Sequence, residues 1–268
     1  MEKKFKLGVI GAGFMSTAIV KGAILSSAID CDKIIVSDLN QQSLDLMARN
    51  GVSVTTDSKF LADNSEYVLF AVKPQNLDAV LSVIKGCECK KFISIMAGVK
   101  KQKIKNALGK VFVARCMPNT PCSVGLGAVG LDLSDFDNET DCDFIKMLLS
   151  SFAEVVLVEE EKMHAVTGVS GSSPAYFYLF LKGIIEAGVS QGLSYDEAKL
   201  LSTATMIGAG EMVMQNKDKT LDELINSVCS KGGTTIEAIK TYNENHLDEI
   251  TKKAVEACVN RSKELENL

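Results

Sequence analysis

The chain has 268 residues, which exceeds the usual size of one hydrophobic core and predicts two domains. The apolar share of 46% and charged share of 24% are those of an ordinary globular protein. The net charge of −5 argues against nucleic acid as a partner, because phosphates require a basic face. No stretch is apolar and charge-free over the length that a membrane span needs. The lysine-rich start runs directly into an apolar strand without a secretion signal, which predicts a cytoplasmic protein.

Eight cysteines raise the question of disulfides or a metal site. They include no Cys-x-x-Cys pair, and the two histidines, His164 and His246, are near none of them in the sequence. A zinc site needs four such ligands at compatible spacing. The sequence therefore predicts no metal site and reduced thiols that serve as small apolar residues.

The first half of the chain alternates short apolar runs with helical patterns. The runs are typical of strands buried on both faces. They are Lys6–Ile10, Lys33–Ser37, Tyr67–Val72, Phe92–Met96 and Val111–Ala114, with a last β-like run at Glu154–Val158. This alternation predicts βαβ units and hence a parallel sheet with helices on both faces.

A glycine-rich turn follows the first predicted strand and begins the first helix. Gly11 permits a tight turn, and Gly13 lets a pyrophosphate approach the backbone at the positive end of a helix. The third position of this fingerprint is Ser16, which is small but is neither Gly nor Ala. The strand before it and the helix after it predict dinucleotide binding. The alternative is a glycine turn that serves packing alone.

Asp38 ends the second predicted strand, where an acidic residue binds the adenosine ribose 2′-hydroxyl of NAD. A 2′-phosphate would be repelled there, and no arginine lies nearby, so Asp38 favours NADH. The alternative is that Asp38 starts a turn or caps a helix over Asn40–Met47. Ala71-Val72-Lys73-Pro74 ends another strand at the edge where open parallel sheets bind ligands. Its lysine faces either the cofactor or, as the spacing favours, the solvent.

After Glu159–Lys162 the pattern is helical throughout. Ser173-Pro174 begins one helix, and the capping pairs Ser194 with Glu197 and Thr220 with Glu223 begin two more. The tail from Leu247 to Leu265 has apolar residues near helical spacing. The helix from Ala175 to Val189 is apolar enough to be buried in protein.

The segment from Ser230 to Glu237 places two glycines before a helix. Thr234 with Glu237 predicts a capping box. The Thr235 hydroxyl would then face outward beside free backbone N–H groups, a site that suits a carboxylate. The alternative is a plain helix start in which the glycines serve the turn.

Gly168 to Tyr176 is a second small-residue segment that enters a helix. It lacks the Gly-x-Ser-x-Gly elbow of a serine hydrolase, and only His164 is close in sequence. We therefore predict a hinge or contact loop. His164 is predicted to be a packed or capping residue, with a general acid as the alternative.

These segments occur in an order that resembles the motif series of pyrroline-5-carboxylate reductases along nearly the whole chain. The series comprises Gly11 to Met15, Ala71 to Pro74, Met117-Pro118-Asn119-Thr120-Pro121, Gly168 to Tyr176, and Ser230 to Thr235. The Ser-x-Gly-Gly-Thr-Thr segment, followed by Ile236-Glu237-Ala238, is similar to the signature of that family. It is far more specific than the glycine fingerprint.

The resemblance implies an α/β fold in which a Rossmann domain with a doubly wound parallel sheet precedes an all-helical domain. The first would bind the dinucleotide over residues 1–160. The second, over residues 161–268, would bind substrate and interleave with a partner, so that the active site forms near a dimer interface. The family forms homodimers or larger homo-oligomers such as decamers. Its enzymes reduce the small molecule 1-pyrroline-5-carboxylate to L-proline with NADPH or NADH, the last step of proline biosynthesis.

Site residues follow from the resemblance by position. The cofactor would contact Gly11, Ala12, Gly13, Phe14, Met15, Ser58, Ala71, Val72, Lys73, Pro74, Ile95, Met96 and Ala97, besides Asp38. The substrate would be held by Ser230, Gly232, Gly233, Thr234 and Thr235, with the Thr235 hydroxyl nearest the imine nitrogen as the catalytic group. Two residues depart from the family pattern: Lys231 stands where proline is common, and Asp38 where members that prefer NADPH avoid an acid.

Two alternatives remain open from the residues. One is another Rossmann-type oxidoreductase that acts on a β-hydroxy acid or an acyclic imine. That class relies on a lysine from its first interdomain helix, where this chain offers only Lys182 in an apolar run. The other is a non-catalytic protein that binds dinucleotide or proline, which would be expected to lack the Gly-Gly-Thr-Thr loop.

Overall fold

The computed structural model describes residues 3–266, which form two compact units. The first unit extends to Pro174 and resumes at Cys258, and the second comprises Ala175–Ala257. This division differs from the predicted boundary at residue 160. Residues 161–174 belong to the first unit because they pack on its sheet, where Val166 lies against Gly130 and Met163 is buried.

Eight strands form one sheet in the first unit, within residues 3–266. They are β1 Phe5–Ile10, β2 Ile34–Ser37, β3 Ser53–Thr55, β4 Ser65–Phe70, β5 Lys91–Ser94, β6 Phe112–Pro118, β7 Gly127–Asp132 and β8 Ala153–Leu157. Their order is β3-β2-β1-β4-β5-β6-β7-β8, and every neighbouring pair is parallel except β6 with β7. The six predicted strands are confirmed with shifts at their ends, whereas β3 and β7 were not predicted.

Helices cover both faces of this sheet, as expected for a doubly wound fold. They are α1 Phe14–Leu25, α2 Gln41–Ala48, α3 Ser58–Asn64, α4 Leu77–Val83, α5 Lys101–Leu108, α6 Glu139–Ser150 and α7 Met163–Val166. Buried residues of α1, α2 and α6 form one apolar cluster with the sheet. Those of α3, α4 and α5 form the other. The strands are therefore buried on both faces, which explains their continuous apolar runs.

A buried ion pair joins the start of α5 to the end of β7. Lys101 Nζ lies 2.6 Å from Asp132 Oδ1 and 3.2 Å from Asp135 Oδ1, and the side chains of Lys101 and Asp132 are 6% and 2% exposed. Burial alone would raise the pKa of Asp132, but the hydrogen bond from Lys101 and those from Ser134 hold it below its usual value. The Asp132 carboxylate therefore stabilises the fold in its charged form.

Replacing Asp132 with asparagine is expected to lower the free energy of unfolding by about 3 kcal/mol at neutral pH, because Lys101 keeps a buried charge that Asp135 compensates only in part. Since folding lowers the pKa of Asp132, its contribution is present above the unfolded value of about 3.9 and is lost as the pH falls through the folded value. Urea unfolding of the wild type and of Asp132→Asn, at equal protein concentration, should show the loss in free energy of unfolding at pH 7. The loss should be smaller below about pH 4. Asp78→Asn, in an exposed pair with Lys103, is the control and should leave the midpoint unchanged. A difference that grows as the pH falls would contradict the assignment.

The second unit is helical, as predicted. The remaining helices are α8 Ser173–Ser190, α9 Tyr195–Gln215, α10 Leu221–Val228, α11 Thr234–Glu244 and α12 Leu247–Glu266. The capping boxes of Ser194 with Glu197 and of Thr220 with Glu223 are confirmed, each with reciprocal hydrogen bonds. No helix within residues 3–266 has the length and apolar character to cross a membrane.

The second unit has almost no core of its own. Of the residues from Ala175 to Ala257, only Ile185 and Ala198 are buried. The apolar helix predicted to be buried therefore exposes most of its large side chains in a single chain, including Phe177 at 56%. An apolar surface of this extent marks an interface with another chain.

Candidate active site

The predicted cofactor residues lie where three neighbouring parallel strands end. In the order β3-β2-β1-β4-β5 the strand order reverses between β1 and β4, and ligands bind at such a switch point beyond the carboxyl ends of the strands. Gly11 follows β1, Ala71 follows β4 and Ile95 follows β5. The fold thus brings three of the predicted segments to one edge of the sheet.

Gly11 makes the closest backbone approach at this edge. Its N–H donates to Ser37 O at 2.7 Å, and its φ of +109° lies in the left-handed region that favours glycine. A Cβ at this position would lie 2.7 Å from Ala71 O. The turn therefore requires glycine for packing, and the same packing joins the ends of β1, β2 and β4.

Gly13 has a different role from Gly11. It is the N-cap of α1, has an extended backbone and receives no side-chain capping bond. A Cβ on Gly13 would meet nothing within 4 Å, so packing does not explain the glycine. Ser16 is buried and donates to Gly13 O at 2.9 Å, which shows how a serine fits the third position of the fingerprint. The open helix start suits an anion such as a pyrophosphate.

A cleft of about 560 Å³ lies beside this turn. Four predicted cofactor residues line it: Gly11, Asp38, Ser58 and Val72. Its other lining residues are Ile10, Ser37, Leu39, Asn40, Asn76, Ala79 and Val80. We did not predict these seven residues as cofactor contacts. Position alone could have indicated Leu39 and Asn40, because they directly follow Asp38.

Asp38 links the glycine turn to the segment before α2. Its Oδ2 accepts from Ala12 N at 2.7 Å and its Oδ1 accepts from Asn40 N at 2.8 Å. The N-cap of α2 is Asn40, whose side chain accepts from Gln42 N and Ser43 N. The open alternative was that Asp38 starts a turn or caps the helix. Its bond with Asn40 N does form a turn before α2, whereas the capping position is filled by Asn40.

Other predicted cofactor residues lie outside the cleft. Met96 is buried in the apolar cluster formed with α3, α4 and α5, and Met15 packs against the cluster formed with α1, α2 and α6. Only the backbone of Met96 is therefore available to a ligand. Phe14, Lys73 and Ala97 are exposed, which fits either interpretation of Lys73.

The predicted substrate loop is a tight turn in the second unit. Gly233 N donates to Ser230 O at 3.0 Å, and Gly232 has a φ of +73°. A Cβ on Gly233 would collide with the Ser230 side chain. The turn thus requires glycine at position 232 through its φ, and a side chain at position 233 would need Ser230 to rotate. Ser230 and Thr234 are exposed, whereas Thr235 is half-buried.

The predicted capping box of Thr234 with Glu237 is wrong. The N-cap is Gly233, with φ −81° and ψ 171°, and α11 begins at Thr234 without a side-chain capping bond. Glu237 instead pairs with Lys240 at 2.7 Å. Because the capping residue has no side chain, the first-turn N–H groups of α11 have no side-chain acceptor, which suits them to bind a carboxylate.

The segment from Gly168 to Tyr176 is helical and is not the predicted loop. Residues Thr167–Gly171 form a π-helical turn between α7 and α8, in which Ser172 N donates to Thr167 O at 2.9 Å. A Cβ on Gly171 would lie 2.5 Å from the terminal methyl group of Met117, which would have to move. Such turns are frequent at functional sites.

His164 is a packed residue. Its Nδ1 lies 2.9 Å from Ser262 Oγ and its Nε2 lies 3.2 Å from Glu266 Oε2. The Glu266 carboxylate also forms ion pairs with Arg115 at 3.2 Å and with Lys100 at 2.9 Å. Both ring nitrogens are therefore engaged in holding the end of α12, which leaves no nitrogen for a general acid. In the described part of the chain, no group of three or more His, Cys, Asp or Glu residues could hold a metal ion.

Comparison with known proteins identifies the family of this chain. Residues 160–265 match the family model described as pyrroline-5-carboxylate reductase dimerisation. The pyrroline-5-carboxylate reductase of Haemophilus influenzae is 35% identical over 98% of this chain and 98% of its own length. This chain belongs to the pyrroline-5-carboxylate reductase family. Residues 6–98 also match the model described as NADP oxidoreductase, coenzyme F420-dependent.

Solved structures of pyrroline-5-carboxylate reductases have the same fold. That of Coxiella burnetii superposes with a TM-score of 0.90 at 34% identity, over 98% of each chain. That of Plasmodium falciparum, solved with NADP bound, gives 0.86 at 28% identity over 99% of this chain and 100% of its own. The predicted fold class and the prediction of a homo-oligomer are confirmed.

Proposed function

We propose that this protein reduces 1-pyrroline-5-carboxylate to L-proline with NAD(P)H, the last step of proline biosynthesis. The observation that carries the proposal is the 35% identity with a pyrroline-5-carboxylate reductase over 98% of both chains. An alignment of this extent covers both the dinucleotide edge and the Ser230–Thr235 loop. The nicotinamide supplies a hydride when bound, and the protein supplies binding and orientation.

The edge beyond β1, β4 and β5 holds the cofactor in this proposal. Gly13 and the start of α1 bind the pyrophosphate through backbone N–H groups, and Asp38 binds the adenosine ribose. Ser58 begins α3 in the cleft and its Oγ lies 3.0 Å from Ser37 Oγ. Ala71 to Pro74 and Ile95 to Ala97 border the same edge. The open space at Gly13 and the fixed carboxylate of Asp38 support this assignment.

The Ser230–Thr235 loop holds the substrate. The Gly232 to Thr235 backbone binds its carboxylate at the uncapped start of α11, with the Ser230 and Thr234 hydroxyls beside it. The Thr235 hydroxyl binds the ring nitrogen. No hydrogen bond within residues 3–266 engages the Thr234 or Thr235 hydroxyl, so both remain available to a ligand.

The reaction adds a hydride to the C=N carbon and leaves a proton on the nitrogen. In the protonated substrate the nitrogen already carries that proton, and the C=N carbon is electrophilic without further activation. A strong general acid is then unnecessary. This fits a loop whose reactive groups are hydroxyls and backbone amides.

Residues 1–160 bind the dinucleotide, and residues 161–268, which include the whole second unit and the segments on either side of it, bind substrate and form the dimer, in the cytoplasm. The free state of all eight cysteines supports this location. The dimer forms through α8 and α9 and assembles further into larger rings such as decamers. Exposed apolar residues beyond a single groove, such as Leu179, Leu200 and Ile207, support further assembly.

The test is oxidation of NADH and NADPH by the purified protein with 1-pyrroline-5-carboxylate, followed by loss of nicotinamide absorbance. Stoichiometric L-proline, identified by chromatography, is the expected result. Folded protein that binds a dinucleotide but forms no proline would contradict the proposal. Activity on an acyclic imine or a β-hydroxy acid alone would assign the chain to another substrate.

A further inference from the structure

The carboxylate of Asp38 is fixed in one orientation at the ribose end of the cleft. Each of its oxygens accepts one backbone N–H, from Ala12 at 2.7 Å and from Asn40 at 2.8 Å. A carboxylate oxygen has two lone pairs, so each oxygen can accept a second hydrogen bond. Asp38 is therefore set to receive two hydroxyl donors, as an unmodified ribose supplies.

Three of the backbone N–H groups that could bind a 2′-phosphate at this place, those of Asn40, Gln42 and Ser43, are already used. Phosphates bind the free N–H groups at helix starts, and α2 starts at Gln41, three residues after Asp38. The Asn40 side chain accepts from Gln42 N at 2.9 Å and Ser43 N at 3.3 Å, and Asn40 N donates to Asp38. The start of α2 is thus capped from within.

The charges around the cleft also disfavour a 2′-phosphate. Asp38 is the one charged residue among the residues described as lining it. Lys59, which follows the lining residue Ser58, is bound to Asp63 at 2.6 Å. A 2′-phosphate carries about −1.5 to −2 charges and would meet the Asp38 carboxylate with no cation among the lining residues to compensate it.

We infer that Asp38 and the internal cap by Asn40 make this enzyme select NADH over NADPH. The inference rests on the proposed function and specifies its cofactor. Like charges placed in contact cost several kcal/mol, which corresponds to a preference of about 100-fold or more in kcat/KM. The P. falciparum relative has NADP bound, so the inference depends on the residues of this chain and not on the family.

The kinetic test compares kcat/KM for NADH and for NADPH at saturating 1-pyrroline-5-carboxylate. Asp38→Asn should reduce the NADH preference at least tenfold. Adding Leu39→Arg should reverse it, because Leu39 lines the cleft and is 93% exposed, so that an arginine there fits without disturbing the core. Asp45→Asn removes the same charge from an exposed site on α2 and should leave the preference unchanged. A wild-type enzyme that prefers NADPH, or an unchanged preference in Asp38→Asn, would overturn the inference.

A binding test separates this inference from the proposed function. Adenosine 5′-monophosphate and adenosine 2′,5′-bisphosphate differ only in the 2′-phosphate, and titration calorimetry on the full-length protein needs no substrate. Tighter binding of the monophosphate by about tenfold or more supports selection at Asp38. Equal binding, or tighter binding of the bisphosphate, refutes it. An enzyme that makes no proline but still prefers the monophosphate would refute the proposed function and leave the selection intact.

Discussion

Replacing Thr235 with alanine or valine is expected to lower kcat for 1-pyrroline-5-carboxylate reduction by about 100-fold, the scale on which one oriented hydrogen bond acts in a transition state. The hydroxyl is half-buried at the uncapped start of α11 and has no partner within residues 3–266. It is proposed to orient the ring nitrogen as the C=N bond is reduced. Since Thr235 does not belong to the dinucleotide edge, the Kd for NADH should stay within a factor of about two.

Two variants control for local damage to α11. Thr235→Ser keeps the hydroxyl and should recover most of the turnover. Thr241→Val removes a hydroxyl that donates to Glu237 O within the same helix and should behave as the wild type. Steady-state kinetics with both substrates would separate kcat from KM. An alanine variant that retains full turnover, or a serine variant as slow as the alanine one, would remove Thr235 from the mechanism.

Most strands of the first half were predictable because the burial of a strand on both faces is visible in its own residues. Strands such as Phe5–Ile10 and Ser65–Phe70 are buried on both faces, so they appear as uninterrupted apolar runs. β3 was missed because Ser53–Thr55 is short and partly exposed. β7 was missed because two of its residues are glycines, which usually indicate a turn. Gly127 and Gly130 are in fact required by the neighbouring side chains of Cys122 and Val166, which only the folded chain brings there.

The candidate site was predictable in part for a related reason. Asp38 and Ala12 are 26 residues apart, but the parallel pairing of β1 with β2 places both strand ends at one edge, as expected from topology. The cap of α11 was not predictable from the motif. Thr234 and Gly233 are both good N-cap residues, and the motif does not show that α11 begins one residue earlier than a Thr234 cap would place it. Met96 matched the family position, yet its side chain belongs to the core.

Substituting Leu201 with glutamate is expected to convert the homo-oligomer into a smaller species. Leu201 lines an apolar groove of about 630 Å³ between α8 and α9, whose lining includes Phe177, Phe180 and Met206. It is 59% exposed in the single chain, so a glutamate there costs the isolated unit little. An unpaired charge buried in an interface costs on the order of 3–5 kcal/mol, which raises the Kd between about a hundredfold and several thousandfold.

Symmetry makes this variant more severe than a single contact suggests. In a twofold dimer the same surface occurs on both chains, so each substitution introduces two charges. Light scattering after size-exclusion chromatography should show the loss of mass, and thermal unfolding should occur at lower temperature because Ala175–Ala257 has few buried residues of its own. Lys199→Glu places a glutamate on the same helix outside the groove and should keep the wild-type mass. If Leu201→Glu also kept that mass, the interface would have to lie on another face of the second unit. The groove would then be a surface that takes no part in assembly.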